Sequence, residues 1–206
     1  MKLQKIKSIC KEARRILLFE AASYQWISNG YAAYPCYNLP RLNEENIFAI
    51  FDIPDSDKGK IIFIEKAAPE KLDFDDCHSG EVLLERYPLA IRSHGQMLLP
   101  LNFAGQVVYI NEKFLTPFSD IKEGYELYGR IDSEGKPYVA VKTGMILLGI
   151  ISRSDIVTRN EDFVPILREF LDSAETEIKN NMIEQDDNKS SDLETDALNA
   201  DEESDG

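Results

Sequence analysis

The chain has 206 residues, of which 43% are hydrophobic, and its formal net charge is −14. This composition predicts a folded protein with a hydrophobic core, and the longest apolar run, residues 145–151, is too short to cross a bilayer. Three widely spaced cysteines argue against a disulfide framework and favour a reducing compartment. We therefore expect a soluble, cytoplasmic protein without a membrane segment.

The N-terminal segment has the periodicity of an amphipathic helix followed by strands. Its apolar positions are Leu3, Ile6, Ile9, Cys10, Ala13 and Leu17. A neighbouring arc of the same helix is basic and carries Lys7, Lys11, Arg14 and Arg15. Residues 16–20 and 24–28 then predict two strands, and the Asn29–Gly30 pair predicts a hairpin turn that leads into a third strand at 31–37. Cys10 and Cys36 are interpreted as buried thiols.

The middle of the chain predicts one short helix and several short strands. Asn43 is a plausible N-cap for a helix at 44–51, because Glu44 and Glu45 suit the positive end of the helix dipole. A polar turn at 55–59 and a strand at 60–66 follow, and residues 67–80 read as a long loop without periodicity. Four further strands are predicted at 81–86, 89–93, 96–101 and 106–110.

The second half repeats the order of a helix and then strands. Asn111 is expected to cap a helix at 112–121, which Pro117 keeps short or kinked. Strands at 125–131 and 137–142 form a hairpin, and an apolar strand follows at 145–152. A last helix is predicted at 161–178, where Asn160 is the candidate cap. Residues 184–206 hold ten Asp and Glu and a single Lys, so this end should be disordered.

Residues 5–37 and 110–152 thus share one pattern, a helix followed by an antiparallel run of strands. Repetition of one unit predicts a pseudo-symmetric α+β scaffold, and such scaffolds usually bind rather than catalyse. The predicted organisation is an α+β domain at 1–159, a C-terminal helix at 160–179 and a disordered acidic tail at 180–206.

No catalytic motif is visible, so we expect a protein that is not an enzyme, with no cofactor and no bound metal. One loop holds residues of the types that ligate metals, namely Asp73, Asp75, Asp76, Cys77 and His78. Their spacing fits neither a zinc nor an EF-hand pattern, which favours an ordinary polar loop. A hydrolase that uses this loop is the remaining enzymatic alternative.

Aromatic residues are concentrated in the first predicted hairpin. Strand alternation places Tyr24, Trp26 and Ser28 on one face. Two interpretations are open for Trp26 and the neighbouring tyrosines: a stacking platform for single-stranded nucleic acid, or packing within the sheet, which the β-propensity of aromatic residues favours.

The stretch VVYINEKFLTPFSDIKEGYELYGRIDSEGKPYVAVKTGMILLGIIS resembles the last part of a DNA sliding-clamp domain. Ile110, Asn111, Phe114 and Leu115 match the order of an aromatic strand and an Asn-led helix. The segment WISNGYAAY is similar to the ATDGHRLA hairpin of bacterial clamps, with Asn29, Gly30 and Tyr31 at its D-G-H positions. The resemblance implies a domain of two helix-and-strand units whose helices line a ring around duplex DNA. It also implies kinship with clamp-like accessory proteins of viruses or prophages.

The expected function is therefore a non-catalytic DNA-replication accessory or docking protein that forms a homo-oligomer. Its predicted DNA-binding residues, which would contact phosphates, are Lys5, Lys7, Lys11, Arg14 and Arg15. The alternative for this helix is a solvated face whose charges meet the acidic tail or other carboxylates. The alternative function is an acidic interaction or inhibitor protein that binds a basic protein partner without touching DNA.

Overall fold

The computed structural model describes residues 2–93 and 95–154, together with the helical positions 168–169, 171–173 and 175–176. The chain divides into two units, Met1–Ile156 and Val157–Gly206, and the sheets and helices below belong to the first. The predicted C-terminal helix falls only partly within the described residues, and the predicted acidic tail lies outside them.

The first unit begins with helix α1 (Leu3–Ala13) and three strands, β1 (Arg15–Ala21), β2 (Tyr24–Ser28) and β3 (Ala32–Pro35). The helix ends because Arg14 takes the left-handed conformation, with φ 50° and ψ 34°, and its N–H caps carbonyls of the last turn. The placement of Leu17 on the helix was therefore wrong, since it lies in β1. The predicted hairpin turn at Asn29–Gly30 is confirmed between the antiparallel strands β2 and β3, and Gly30 has a positive φ of 96°.

Two short helices and one strand follow: α2 (Glu44–Ile50), α3 (Asp55–Lys58) and β4 (Ile62–Glu65). The predicted Asn43 cap is confirmed as a capping box, in which its side chain accepts from the N–H of Asn46 and the Asn46 side chain accepts in return. The single helical turn of α3 replaces the expected turn. The predicted loop at 67–80 is confirmed, and the segment without helix or strand extends one residue further at each end, to 66–81.

Five short strands form the next part: β5 (Val82–Leu83), β6 (Glu85–Arg86), β7 (Ile91–Ser93), β8 (Gln96–Phe103) and β9 (Gln106–Asn111). The single strand predicted at 81–86 is divided at Leu84, because β5 pairs with one sheet and β6 with the other. The N–H of Leu84 donates to the carbonyl of Leu127 at 2.8 Å, so the chain passes between sheets without losing this hydrogen bond.

A 3₁₀ helix (Glu112–Phe118) precedes the last three strands, β10 (Glu126–Ile131), β11 (Pro137–Thr143) and β12 (Ile146–Ser152). The Asn111 side chain accepts from the N–H of Lys113 and so caps the helix as predicted. Pro117 lies inside the helix, where its missing N–H limits regular α-helical bonding.

The fold is a mixed α+β arrangement with two sheets. The eight-stranded sheet has the order β4-β1-β2-β3-β12-β11-β10-β5, and the smaller sheet pairs β6, β7 and β9 with β8. In the larger sheet β4 is parallel to β1, whereas β3 is antiparallel to β12 through the pairs Ala33 with Ile150 and Ala32 with Ile151. The β3–β12 pairing joins the strands that follow α1 to those that follow the 3₁₀ helix.

Hydrophobic residues cover both faces of the large sheet. On one face, Ile6, Ile9 and Cys10 of α1 and Phe114, Leu115 and Phe118 of the 3₁₀ helix belong to the main core cluster. On the other face, a second cluster includes Phe19, Trp26, Phe74, Tyr138, Ala140, Leu147 and Ile150. The two helices therefore pack side by side on one face, and the loop that carries Phe74 covers part of the opposite face.

Candidate nucleic-acid interface

The apolar side of helix α1 faces the sheet. Its basic residues lie on the sides of the helix that do not face the sheet and at its C-terminal end. Ile6, Ile9 and Cys10 are buried, and burial raises the pKa of the Cys10 thiol to about 12. Among the five predicted DNA-binding residues, Lys5, Arg14 and Arg15 are exposed, whereas Lys7 and Lys11 are half-buried. The structure thus separates the five predicted DNA-binding residues into two groups.

The first group, Lys7 and Lys11, faces carboxylates of the segment that contains α2 and α3. Lys7 Nζ lies 3.4 Å from Asp52 Oδ2. The hydrogen bond and charge of Lys60 lower the pKa of Asp57, and the charge of Lys11 contributes in the same direction. Part of the positive charge of this group is therefore neutralised within the protein.

The second group, Lys5, Arg14 and Arg15, forms no ion pair with any described residue. The backbone of Arg14 is fixed on both sides, because its N–H caps α1 and its carbonyl accepts from the N–H of Ile62 at 3.0 Å. Arg15 opens β1 directly after it. The two arginines therefore project from a rigid junction between helix and sheet.

Arg15 lies beside the turn between β2 and β3. A β-carbon at Gly30 would stand 3.3 Å from Nη1 of Arg15, so the guanidinium group lies against the glycine backbone. The turn is held by Asn29, whose Oδ1 accepts from the N–H groups of Tyr31 and Ala32, both at 2.9 Å. The N–H of Ser152 donates to the carbonyl of Tyr31 at 2.7 Å, which ties the turn to β12.

Tyr31 is the exposed aromatic residue of this turn. The residue is 61% exposed, and its ring is nearly parallel to that of buried Phe114, at 12° and a centroid distance of 6.5 Å. Lys113 Nζ lies 5.5 Å from the Phe114 centroid and 2.7 Å from Glu12 Oε1. Sequence patterns predicted the Asn-Gly turn that presents Tyr31 but not that Arg15 would lie against this turn.

The other aromatic residues of the first hairpin mainly pack. Trp26 and Tyr34 are at most 1% exposed, and Phe74 meets the rings of Phe19 and Trp26 edge-on at 5.2 and 4.9 Å. The packing interpretation of Trp26 is therefore confirmed, and its ring is inaccessible to a base.

The loop at 66–81 is fastened across the sheet by one buried arginine. Arg130 is fully buried, and its guanidinium group donates to Glu81 and to the backbone carbonyls of Asp73, Asp75 and Asp76. Lys142 donates to the second carboxylate oxygen of Glu81. These contacts hold the loop at 66–81 against the sheet, and we call this loop the strap.

The acidic side chains of the strap also have structural partners. Asp76 Oδ1 accepts from the N–H of Leu147 at 2.8 Å, and Asp73 Oδ1 accepts from the N–H of Asp75 at 2.8 Å. Within the described residues, no group of three or more His, Cys, Asp or Glu side chains is arranged to hold a metal ion. The hydrolase alternative for this loop stays a prediction.

Comparison with known protein families, curated proteins and solved structures finds no match to this chain. Among the described residues, no helix combines the length and the apolar character that crossing a bilayer requires.

Proposed function

We propose that this chain is a non-catalytic, clamp-like scaffold of DNA replication that contacts duplex DNA through the Arg14–Arg15 end of α1. The observation that carries the proposal is the antiparallel pairing of β3 with β12. Each is the third strand after a helix, and antiparallel pairing of equivalent strands is the contact that an approximate twofold axis between two units produces.

The relation between the two helices supports the same interpretation. The N–H of Lys2 donates to the carbonyl of Pro117 at 2.8 Å, and Lys113 pairs with Glu12, so α1 and the 3₁₀ helix are in direct contact on one sheet face. A pair of adjacent helices on one face of a joined sheet is the arrangement that the sliding-clamp resemblance implies for the surface that faces DNA.

The charges on α1 support its C-terminal end as the contact. The chain as a whole is strongly negative, so DNA can approach only where positive charge is locally unneutralised. Of the basic residues predicted to bind DNA, Lys5, Arg14 and Arg15 meet this condition, whereas Lys7 is paired with Asp52. Binding to phosphates through these residues is non-specific in sequence and falls steeply with salt.

The test compares two double variants of the full chain for retention of a short duplex DNA over a range of salt concentrations. Replacing Arg14 and Arg15 by Gln should reduce the magnitude of the log–log salt slope by about 2, because each lost phosphate contact removes about 0.9. The matched control replaces Lys7 and Lys11 by Gln and should change the slope less. Equal slopes for wild type and both variants would contradict the proposal.

The oligomeric part of the proposal rests on the two ends of the large sheet. Among the described strands, β4 and β5 are the outermost. Ile62 and Ile64 of β4 are exposed, as are Val82 and Leu83 of β5. Unpaired edges with exposed aliphatic side chains are templates for pairing with another chain. Because the edges are at opposite ends, pairing between copies would be head-to-tail and would give a ring or a filament.

A second candidate is an acidic protein that binds a basic protein partner, and the partial neutralisation of α1 by Asp52 favours it. This function predicts salt-sensitive binding to a basic polypeptide such as polylysine and no retention of duplex DNA. Deletion of residues 184–206, which carry −9 of the net charge of −14, should then weaken polylysine binding. Retention of duplex DNA that depends on Arg14 and Arg15 would exclude this as the sole function.

A further inference from the structure

Tyr31 combines exposure with a fixed position. Its ring is nearly parallel to that of Phe114 at a centroid distance of 6.5 Å, and the residue is 61% exposed. A large aromatic surface exposed to water is unfavourable by itself. Tyr31 is therefore the better candidate for contact with a ligand than Trp26 or Tyr34, which are buried in the core.

The turn that presents Tyr31 is rigid before any ligand arrives. Its backbone N–H donates to Asn29, its carbonyl accepts from Ser152, and the preceding Gly30 N–H donates to Ser28 Oγ at 2.9 Å. Asn29 and Ser28 are themselves buried. A ring held on such a turn loses little conformational freedom on binding, and preorganisation of this kind increases affinity.

The charge beside the ring is positive. Arg15 lies against Gly30, one residue before Tyr31, and Arg14 is its neighbour in the chain. Neither arginine is paired with a described carboxylate. An exposed ring on a turn that is contacted by an unpaired guanidinium group, that of Arg15, matches a nucleotide, which has an aromatic base and an anionic phosphate one sugar away.

We propose that Tyr31 stacks on an unpaired base of single-stranded DNA while Arg14 and Arg15 contact the adjoining phosphates. The bases of a duplex are already stacked on each other, whereas an unpaired base offers its face to an aromatic side chain. This inference rests on the proposed function, because it uses the same arginines. It adds a preference for a strand with unpaired nucleotides, such as the single-stranded part next to a duplex.

The experiment uses the full chain and two probes, a short oligo(dT) strand with one 2-aminopurine and a duplex of the same length. Affinity is measured by fluorescence anisotropy at low salt, and stacking by quenching of 2-aminopurine. Tyr31→Ala should weaken oligo(dT) binding about tenfold, since loss of one base–aromatic stack is typically of this size, and should reduce the quenching. Tyr31→Phe should retain both, because the ring is kept.

Tyr24→Ala is the matched control. Tyr24 of β2 is also an exposed tyrosine, with 45% of the residue accessible. Its ring, however, packs edge-on against that of Tyr37 at a centroid distance of 4.7 Å. We expect its replacement to leave oligo(dT) affinity and quenching unchanged. Thermal unfolding of each variant checks that the fold is retained, which is expected because both side chains are exposed.

Two results would overturn the inference, and they are distinguishable from failure of the proposed function. If Tyr31→Ala binds oligo(dT) like wild type while the Arg14 and Arg15 variant loses duplex binding, stacking is excluded and the proposed function stands. If wild type retains the duplex but not oligo(dT), the single-strand preference is also excluded. If neither probe is retained at low salt, both proposals fail.

Discussion

At the residue scale, the most consequential side chains are the three charged groups that fasten the strap. Arg130 is fully buried, the Lys142 side chain is 6% exposed, and both donate to Glu81. Burial acts to raise the pKa of the Glu81 carboxyl, but hydrogen bonds from Lys142 and Arg130 and their charges outweigh this effect, and the pKa lies below its usual range. A single carboxylate thus compensates two buried cations.

Replacing Glu81 by Gln should lower the free energy of unfolding at neutral pH by about 3 kcal/mol, because breaking a buried ion pair leaves uncompensated charge. Since the pKa of Glu81 is lowered in the folded state, its contribution is complete above its ordinary value of 4.5 and is lost as the pH falls through the lowered folded value. The difference between wild type and variant should therefore shrink below about pH 4.5.

Urea unfolding across this pH range measures the effect. Glu85→Gln, at an exposed position of β6, is the control and should change stability by less than about 0.5 kcal/mol. A Glu81 variant as stable as wild type at neutral pH would show that the strap is held without this carboxylate.

Gly149 is a second position where one residue controls packing. A β-carbon there would lie 2.8 Å from the ring of Phe118 and 3.0 Å from the carbonyl oxygen of Ala33. Gly149→Ala should destabilise the protein by about 1–3 kcal/mol through overpacking between β12, β3 and the 3₁₀ helix. Gly59→Ala is the matched control, because nothing lies within 4 Å and its φ is −70°. Equal unfolding midpoints for the two variants would contradict this account.

At the scale of elements, the end of α1 combines structural strain with the proposed function. A non-glycine residue in the left-handed region costs about 1 kcal/mol, and Arg14 occupies this region with φ 50°. Glycine is the usual residue at such a helix end. An arginine there is consistent with a requirement for its charge.

Arg14→Gly should therefore raise the free energy of unfolding by about 1 kcal/mol and, under the proposed function, weaken retention of duplex DNA. Arg14→Ala separates the two effects, because alanine keeps the strain and lacks the charge. It should weaken DNA retention to the same extent without the gain in stability. Thermal unfolding and DNA titration of both variants measure the two quantities, and a destabilised Arg14→Gly would refute the strain argument.

At the scale of the whole molecule, the unpaired edges of the large sheet determine the expected assembly. Head-to-tail association would cover the aliphatic side chains of both edges and remove them from water.

Native mass measurement at working concentration should accordingly give a multiple of the 23.4 kDa chain. Leu83→Lys, which places a charge on the β5 edge, should shift the population to the monomer. Met97→Lys is the control, because Met97 is exposed on β8 of the smaller sheet. A wild-type protein that is monomeric at all concentrations would exclude the ring.

Local signals in the sequence determined much of the secondary structure. Asn43 and Asn111 were recognised as helix caps because capping depends on residues three positions apart or fewer. The Asn-Gly turn was equally predictable from the sequence, since only glycine adopts positive φ without cost. The burial of Cys10 and Cys36 also followed from the local apolar pattern.

Tertiary structure alone decided the features that depend on distant pairs. Nothing in the periodicity of β10 showed that Arg130 would be buried against a loop about 55 residues earlier, or that β3 would join β12. The tertiary structure likewise decided that Lys7 pairs with Asp52. Arg14 and Arg15 have no such partner among the described residues. Sequence patterns determine which face of an element is apolar, whereas the pairing of those faces and of buried charges is fixed only when segments remote in the chain come into contact.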